Sequence, residues 1–431
     1  MDQAMTFPRY ESYKNSDTDW LGDIPSDWSL GTIRAVTQLK SEKNQPELQV
    51  LSVYREYGVI PKDSLDDNHN ATSLDTSGYK VVNKGDLVVN KMKAWQGSMG
   101  VSEHDGIVSP AYITCCVDAE RVYPRFLHYL LRSQPYIGVY NALSYGVRVG
   151  QWDMHYEDFK CIPLPLPDRT CQQRIANFLN QKTTEIDEAI AKKQRLIELL
   201  KEQKAILINR AVTKGLNPDV PMRDSGVEWI GEVPSHWKVK KIKYCTKIFR
   251  GKFTHRPRND HSLYDGAYPF IQTGDVARSG KYLLDYTQTL NEKGLRVSTL
   301  FPQGTVIITI AANIGDISIL GIDACFPDSI VGFKPCSEVE RDYLYYTLSA
   351  MKDQFISSTI KNTQMNLNVD RIGSNFIGLP SKTEQLMIVK EIEFNFSQIE
   401  QAVESLKNNI FALDDYKRIV ISEAVTGKIK I

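Results

Sequence analysis

The sequence predicts an α+β protein with two mixed α/β modules in tandem, each followed by a long helix. Two observations lead to this fold class. The nine residues WLGDIPSDW, from Trp20 to Trp28, return as WIGEVPSHW from Trp229 to Trp237 in a chain of 431 residues. An apolar pattern far downstream of each copy also returns, at an offset of 213 positions. Such a tandem duplication predicts a molecule that performs one task at two places and fixes the distance between them.

Each module begins at its WxGxxPxxW motif, after a polar and turn-rich lead-in. Short β-branched runs that follow a glycine turn predict strands, as in KGDLVVNK (Lys84 to Lys91) and QGTVIITIA (Gln303 to Ala311). Amphipathic segments that start at Phe126 and at Tyr343 predict helices at equivalent places. Each module is therefore predicted to be mixed α/β and not all-β.

A long helix is predicted after each module. Proline-containing exits, Ile162 to Pro167 and Ile377 to Pro380, end the regular structure of the modules. The segments from about Cys171 to Thr213 and from about Glu384 to Thr426 contain no glycine or proline, as an uninterrupted helix requires. Some forty residues would form a rod of roughly 60 Å.

Apolar residues in both helices recur at alternating spacings of four and three, which predicts a coiled-coil seam. Two seams in one register favour an antiparallel coiled coil with pseudo-twofold symmetry. The alternative is that each helix packs on its own module, and Lys193, Lys204 and Lys417 do interrupt the seams. The predicted seam residues are Ile186, Ile190, Ile197, Leu200 and Leu207 in the first helix, and Ile399, Val403, Leu406, Ile410, Leu413 and Val420 in the second.

The predicted domain boundaries follow from these features. The first module covers residues 1–168 and its spacer helix covers 169–215. A linker and the second module cover 216–380, and the second spacer helix covers 381–431.

Composition narrows the class of protein. Fifty-two basic and 52 acidic residues balance, so net charge does not decide for or against nucleic acid, because local patches govern contact energy. No apolar stretch long enough for a membrane span or a signal peptide occurs, so we expect a cytoplasmic protein. Seven cysteines without a CxxC pair, and histidines without ligand spacing, argue against a disulfide framework and against a metal site.

The ordered set of motifs resembles the specificity subunit of type I restriction-modification enzymes. The paired WxGxxPxxW openings, the proline exits with a following glutamine, the AVTKGL ending (Ala211 to Leu216) and the joint from Gly215 to Trp237 carry the resemblance. It covers essentially the whole chain.

The resemblance implies that the modules are target recognition domains, each of which reads half of a split DNA sequence across an unread spacer fixed by the helices. The subunit itself would be non-catalytic and hold no cofactor. Two modification subunits would bring S-adenosylmethionine and methylate adenine, and a restriction subunit, a translocase and endonuclease, would use ATP and Mg. The sequence agrees, because it has no Pro-Pro pair for a DPPY or NPPF motif and no GxxxxGK[ST] loop.

Candidate DNA contacts are residues that offer cations to phosphates, or amide and guanidinium groups to base edges. They could equally be core aromatics and a solvated charged rim. The two modules differ in these residues, which predicts an asymmetric bipartite target. The candidates are Lys91, Lys93, Trp95, Gln96, Arg148 and Gln151 in the first module, and Lys247, Arg250, Lys252, His255, Arg256, Arg258, Asn362, Gln364 and Asn366 in the second, with Thr273, Gln272 and Asn313 as weaker ones.

A second hypothesis belongs to a different class. The chain could be a coiled-coil scaffold whose two modules bind proteins and not DNA. Steep loss of affinity with added salt would favour the first hypothesis, because phosphate contacts release counterions. The bases of the target cannot be derived from the chain, because side-chain identity without a docked pose does not specify them.

Overall fold

The computed structural model of the chain describes residues 7–64, 75–146, 152–360 and 367–431. The chain divides into two compact units. One contains residues 1–193 and 407–431, and the other contains residues 194–406. Each unit therefore holds one module and a part of both long helices.

The first module is a mixed α/β domain around a four-stranded antiparallel sheet in the order β4-β11-β8-β9. Its strands are β1 (Tyr13–Asn15), β2 (Asp23–Pro25), β3 (Ser29–Thr32), β4 (Thr37–Lys40), β5 (Leu51–Tyr54), β6 (Gly58–Pro61), β7 (Lys80–Val82), β8 (Leu87–Asn90), β9 (Met99–Val101), β10 (Gly106–Val108), β11 (Tyr112–Val117) and β12 (Pro163–Leu166). Its helices are α1 (Ile33–Val36), α2 (Pro124–Leu131), α3 (Gln134–Leu143) and α4 (Tyr156–Phe159), and the long helix α5 (Arg169–Lys214) follows.

The core of this module lies between the sheet and helix α2. Alternate residues of β8 and β11, such as Leu87 and Cys115, are fully buried with Phe126 and Leu130 of α2. Strand β12 pairs antiparallel with β3 and so closes the module beside the start of α5.

The second module is built on two sheets, one in the order β16-β24-β21-β22-β18 and one in the order β19-β17-β23-β20. Its strands are β13 (Met222–Asp224), β14 (Glu232–Pro234), β15 (Lys238–Lys241), β16 (Thr246–Arg250), β17 (Tyr264–Phe270), β18 (Tyr282–Leu283), β19 (Gln288–Leu290), β20 (Leu300–Phe301), β21 (Val306–Thr309), β22 (Ile317–Leu320), β23 (Ala324–Cys325), β24 (Ile330–Pro335) and β25 (Phe376–Leu379). Its helices are α6 (Ile242–Cys245), α7 (Thr273–Arg278), α8 (Glu292–Arg296), α9 (Arg341–Ala350), α10 (Lys352–Ile360) and α11 (Val369–Ser374), and the long helix α12 (Lys382–Val425) follows.

Strand β21 is buried on both faces, which explains the continuous apolar run predicted as a strand. Val306 and Ile308 share a core with Leu344 of α9, whereas Ile307 packs on the other side with Phe326. Strands β15 and β25 pair antiparallel and close this module, as β3 and β12 close the first.

The two long helices pack against each other, as predicted, and they run antiparallel within each unit. In the first unit Lys417 Nζ contacts Asp187 Oδ1 at 2.7 Å, and Ile175 shares a core with Ala424. In the second unit Lys204 Nζ contacts Glu400 Oε1 at 2.7 Å. The described seam residues are buried or half-buried. Lys204 and Lys417, expected to interrupt the seam, thus form ion pairs between the helices.

The C-terminal end of a long helix lies beside each WxGxxPxxW motif. Gly215 and Gly427 adopt left-handed backbone with φ of 70° and 73° just after α5 and α12, the usual position of a C-terminal glycine cap. Trp237 lies beside Gly215 and Trp28 beside Gly427. A Cβ at Gly427 would approach Pro25 to 2.4 Å, so only glycine fits there.

Buried glutamines join each long helix to its module. Gln172 Oε1 accepts from the backbone N–H of Tyr123 at 2.6 Å, and its Nε2 donates to Pro167 O at 2.9 Å. Gln385 Oε1 accepts from the N–H of Glu340 at 2.7 Å, and its Nε2 donates to Pro380 O at 3.0 Å. We call these two arrangements the glutamine joints; both side chains are almost fully buried.

Across the described residues, no helix combines the length and the apolar character needed to cross a membrane.

Candidate nucleic-acid interface

In the first module, the segment that holds the candidates Lys91 to Gln96 meets residues 152–154, which follow the candidate Gln151 in the sequence. The 3-10 helix Lys91–Gln96 follows β8, and Lys91 O accepts a hydrogen bond from Met154 N at 3.0 Å. Lys91 Nζ contacts Asp153 Oδ2 at 2.8 Å, and the rings of Trp95 and Trp152 pack edge to face with centroids 5.2 Å apart. We call this group the first turn cluster. The indole N–H of Trp95 is buried there, and it has no hydrogen-bond partner among the residues that the structure describes.

The second module has the same backbone hydrogen bond at the equivalent place but different side chains around it. After β21, the backbone O of Ile310 accepts from Leu367 N at 3.1 Å, as Lys91 O accepts from Met154 N in the first module. The exposed Asn313 lies in the turn that follows. The turn is held by Thr309, whose Oγ1 accepts from Asp316 N at 3.1 Å. This second turn cluster therefore presents an amide where the first presents a lysine and indole rings.

A second candidate surface in this module consists of the last residue of β16 and most of the loop that leads to β17; we call it the cationic loop (residues 250–260). Arg258 Nη2 contacts Asp328 Oδ1 at 2.6 Å, and Arg256 Nη2 lies 4.0 Å from Asp328 Oδ2. Arg250 Nε donates to the backbone O of Asp328 at 3.0 Å. One half-exposed aspartate therefore organises three arginines, which keep solvent-facing surface.

A histidine and an aspartate stabilise the end of the cationic loop. His255 Nε2 lies 3.0 Å from Asp260 Oδ2, and Ser262 N donates to Asp260 Oδ1 at 3.0 Å. Hydrogen bonds from Ser262, followed by the contact with His255, hold the pKa of Asp260 below its usual range. Asp260 therefore remains a carboxylate at neutral pH and orders the loop.

A cleft of about 440 Å³ lies beside the cationic loop. Its apolar lining includes Phe253 and Phe270, whose rings pack 5.0 Å apart. Its polar lining includes Arg258 of the loop and two glutamines, Gln272 and Gln288, whose side-chain amides are hydrogen-bonded at 3.1 Å. The cleft thus combines aromatic, cationic and amide groups on one surface of the module.

Comparison with known proteins gives a consistent result. Residues 234–409 match the family model for the type I restriction modification DNA specificity domain. A Methanocaldococcus jannaschii chain assigned as the MjaX specificity subunit of a type I restriction enzyme is 21% identical over 453 aligned positions, which cover 99% of each chain. The MjaIX specificity subunit of the same organism is 26% identical over 175 positions, 40% of this chain and 37% of that one. The chain is thus similar along its length to type I restriction specificity subunits, and part of its second module matches their DNA specificity domain.

Solved structures share the fold of this chain. The HsdS subunit from Thermoanaerobacter tengcongensis superposes with a TM-score of 0.57 at 16% identity, over 94% of this chain and 98% of that one. A chain from a study of complex assembly and conformational transition of the type I R-M system has a TM-score of 0.69 at 16% identity, over 93% and 98%. The match to the DNA specificity domain supports the recognition of DNA expected from the motifs, and the protein-binding scaffold has no such support.

The structure places the candidate residues of the chain in three groups. Lys91, Trp95 and Gln96 lie in or next to the first turn cluster, with Lys93 exposed beside them. Arg250, Lys252, His255, Arg256 and Arg258 share the cationic loop, while Lys247 lies on β16 with its Nζ over the Phe249 ring. Thr273 begins α7 next to the cleft. Arg148, Gln151, Asn362, Gln364 and Asn366 lie outside the described residues, so their role stays a prediction.

Sequence reasoning missed Gln288 and the buried Asp275 behind it. Gln288 stands alone in an ordinary polar stretch, YTQTLNEKG, and no local spacing marks it. Within the described part of the chain, no group of three or more His, Cys, Asp or Glu is arranged to hold a metal ion.

Proposed function

We propose that this chain is a specificity subunit that recognises an asymmetric bipartite DNA target and directs the adenine methylation and restriction that partner subunits carry out. The observation that carries the proposal is the repeated turn cluster. The same backbone hydrogen bond, Met154 N to Lys91 O in one module and Leu367 N to Ile310 O in the other, frames different side chains. The same backbone arrangement with different side chains suits two domains that read two different half-sites.

The chemistry belongs to the partners in this proposal. The chain itself is non-catalytic, S-adenosylmethionine is carried by two modification subunits, and ATP and Mg are used by a restriction subunit. Exposed apolar side chains on the long helices suit such docking. In the second unit Leu386, Met387 and Phe394 of α12 are 50–60% exposed, and Ile206 of α5 is 67% exposed. Met387 and Phe394 are seven positions apart and so lie on one face of α12, and contiguous exposed apolar surface commonly marks a protein interface.

The proposal also assigns the long helices as the spacer between half-sites. Seven residues inserted in both helices, after Lys193 in α5 and after Leu406 in α12, preserve the seam register because a heptad rotates the helix by only about 20°. The insertion lengthens the helices by roughly 10 Å, about three base pairs. Methylome sequencing of a host with and without the lengthened chain should therefore show the same half-sites with a longer spacer.

Two results bear on the alternatives. A matched control inserts seven residues in α5 alone, which destroys the pairing register and should abolish methylation. Changed half-site bases in the doubly lengthened variant would contradict the spacer role. A wild-type chain that produced no bipartite methylation pattern with its partners would contradict the proposed function altogether.

A further inference from the structure

The cleft beside the cationic loop contains a side-chain amide in a position to read a base. Gln288, the first residue of β19, is exposed, and its Oε1 accepts from Gln272 Nε2 at 3.1 Å. An amide oxygen has two lone pairs and an amide nitrogen has two N–H groups. With one acceptor position occupied, the Gln288 amide keeps one acceptor and two donors for a ligand.

Backbone pairing fixes where this amide is presented. Gln288 pairs with Phe270 in the antiparallel ladder between β17 and β19, and Gln272 follows two residues after Phe270. The pair therefore spans the end of two hydrogen-bonded strands. Groups mounted on paired strands are positioned more tightly than groups on a free loop.

A buried carboxylate supports both members of the pair. Asp275, 3% exposed, accepts from Gln272 N at 2.8 Å and from Thr287 Oγ1 at 3.1 Å. Arg278 Nη2 donates to the same carboxylate at 2.6 Å and balances its charge. Asp275 thus holds Gln272, which bonds Gln288, and Thr287, which precedes Gln288 in the chain. The amide pair is therefore ordered before any ligand arrives.

The surroundings match an approach by duplex DNA. Arg258, of the cationic loop, lines the same cleft. Its carboxylate partner Asp328 is half-exposed, so the guanidinium can exchange that contact for a phosphate at little cost. Phosphate contacts set the register of a protein on DNA, and base-edge contacts supply the sequence information. A cation and an ordered amide on one cleft offer one group for each role.

The donor and acceptor pattern selects the base. Adenine presents a donor and an acceptor, N6–H and N7, side by side in the major groove, which one amide meets with two hydrogen bonds. Guanine presents two acceptors there, cytosine presents a donor and thymine an acceptor, so none of them meets both amide groups. The geometry points to Gln288 as a specificity-determining residue that reads one adenine of the second half-site, with Gln272 and Asp275 as positioning residues. This assignment rests on the proposed function.

The test uses the complete modification complex and a panel of duplexes in which each base pair of the second half-site is changed in turn. Wild-type complex should prefer adenine at one position by about 5- to 150-fold, the range for one bidentate contact. Gln288→Ala should lose that preference at this position alone. Gln288→Glu removes the donors and should shift the preference there toward cytosine, whose N4–H a carboxylate accepts. Discrimination at the first half-site should be unchanged.

Gln303→Ala and Gln303→Glu are the matched controls, because Gln303 is exposed in the same module and does not line the cleft. Both should bind as wild type does. If wild-type complex discriminates its target and Gln288→Ala keeps every base preference, or loses all preferences equally with unchanged melting temperature, the assignment of Gln288 is wrong. If wild-type complex shows no preference in either half-site, the proposed function itself fails.

Discussion

At the scale of single residues, the cationic loop is partly neutralised by the chain itself. Arg256 and Arg258 both face the carboxylate of Asp328, and Arg250 bonds its backbone oxygen. Exposed ion pairs of this kind contribute about 0–1 kcal/mol to stability. They therefore order the loop but leave the arginines able to exchange Asp328 for another anion. A DNA phosphate would compete with Asp328 for two guanidinium groups.

Replacing Asp328 with asparagine should therefore increase affinity for DNA of any sequence. The amide keeps the size of the side chain but no longer neutralises the arginines, so the loop can take up about one more phosphate. The slope of log Kobs against log salt concentration should become steeper by about 0.9, measured by fluorescence anisotropy of the complex on unrelated duplexes. Asp353→Asn, an exposed change in the same module, should have no effect. Weaker binding by Asp328→Asn with the slope unchanged would show that the carboxylate serves only to order the loop.

The sequence predicts the basic residues of the cationic loop but not the partners that hold them. The basic run from Lys247 to Arg258 is contiguous, so it predicts a patch without any knowledge of the fold. Asp328 lies 70 positions after Arg258 and meets it because β16 and β24 are neighbours in one sheet. Gln288 escapes prediction for the same reason, because only strand pairing brings it to Gln272.

At the scale of elements, the glutamine joints connect each module to the helix that follows it. Each amide satisfies the backbone N–H at the start of a module helix, α2 or α9, and a carbonyl of the proline exit. One side chain therefore holds two backbone groups of the module in place, one at a helix start and one in the proline exit. Side chains at equivalent positions with equivalent bonds imply that the two helices leave their modules in the same local geometry.

Substitution of either joint glutamine by leucine should lower the free energy of unfolding by about 3 kcal/mol, because buried backbone groups lose their partners and each such loss costs about 1–3 kcal/mol. Urea denaturation followed by circular dichroism measures the change. Gln172→Glu and Gln385→Glu keep the acceptor but bury a carboxylate against the carbonyl oxygens of the exit prolines, so they should lose at least as much. Gln401→Leu, on the exposed side of α12, is the control and should be close to wild type. A loss below 0.5 kcal/mol for both leucine variants, roughly the effect of an ordinary surface change, would show that the joints contribute little.

Helices were the elements that the sequence predicted best, because a run without glycine or proline and a 3.5-residue period are local signals. The predicted starts, Cys171 and Glu384, fall two residues after the observed starts. The capping residues explain this difference. Asp168 Oδ1 accepts from Cys171 N at 2.9 Å, and Ser381 Oγ accepts from Glu384 N at 3.3 Å, so each helix begins directly after its exit proline segment.

At the scale of the whole molecule, the contacts that join modules to long helices are the same in both halves of the chain, whereas the candidate DNA-binding surfaces of the two modules differ. Motif, closing strand pair, glutamine joint and glycine cap occur in both halves, whereas the second module has a cationic loop and an amide cleft of its own. Repetition is visible in a sequence because equal constraints preserve equal residues at a fixed offset. The surfaces that differ between the modules have no second copy in the sequence with which they can be compared. The predicted domain boundaries and the predicted DNA contacts therefore stay predictions.

Repeated connections predict that the modules are interchangeable. The strand pairs β3 with β12 and β15 with β25 close the modules, so residues 29–166 can replace residues 238–379 at equivalent ends. The first module would then meet the second glutamine joint, whose bonds match those of its own. Such a chain should direct methylation to a target that contains the first half-site twice, in inverted orientation as expected for antiparallel helices, with the spacer unchanged. Symmetric proteins read symmetric sites for this reason.

Methylome sequencing of a host that carries only the exchanged chain and its partners measures the outcome. The reciprocal chain, with residues 238–379 in place of 29–166, is the matched control and should yield the second half-site twice. Because Gln288 travels with the second module, its adenine should appear twice in that target and be absent from the other. A target that retained both original half-sites would show that recognition resides in the helices or partners. Stable chains that direct no methylation would show that the joints, though equal in their bonds, place the two modules differently on DNA.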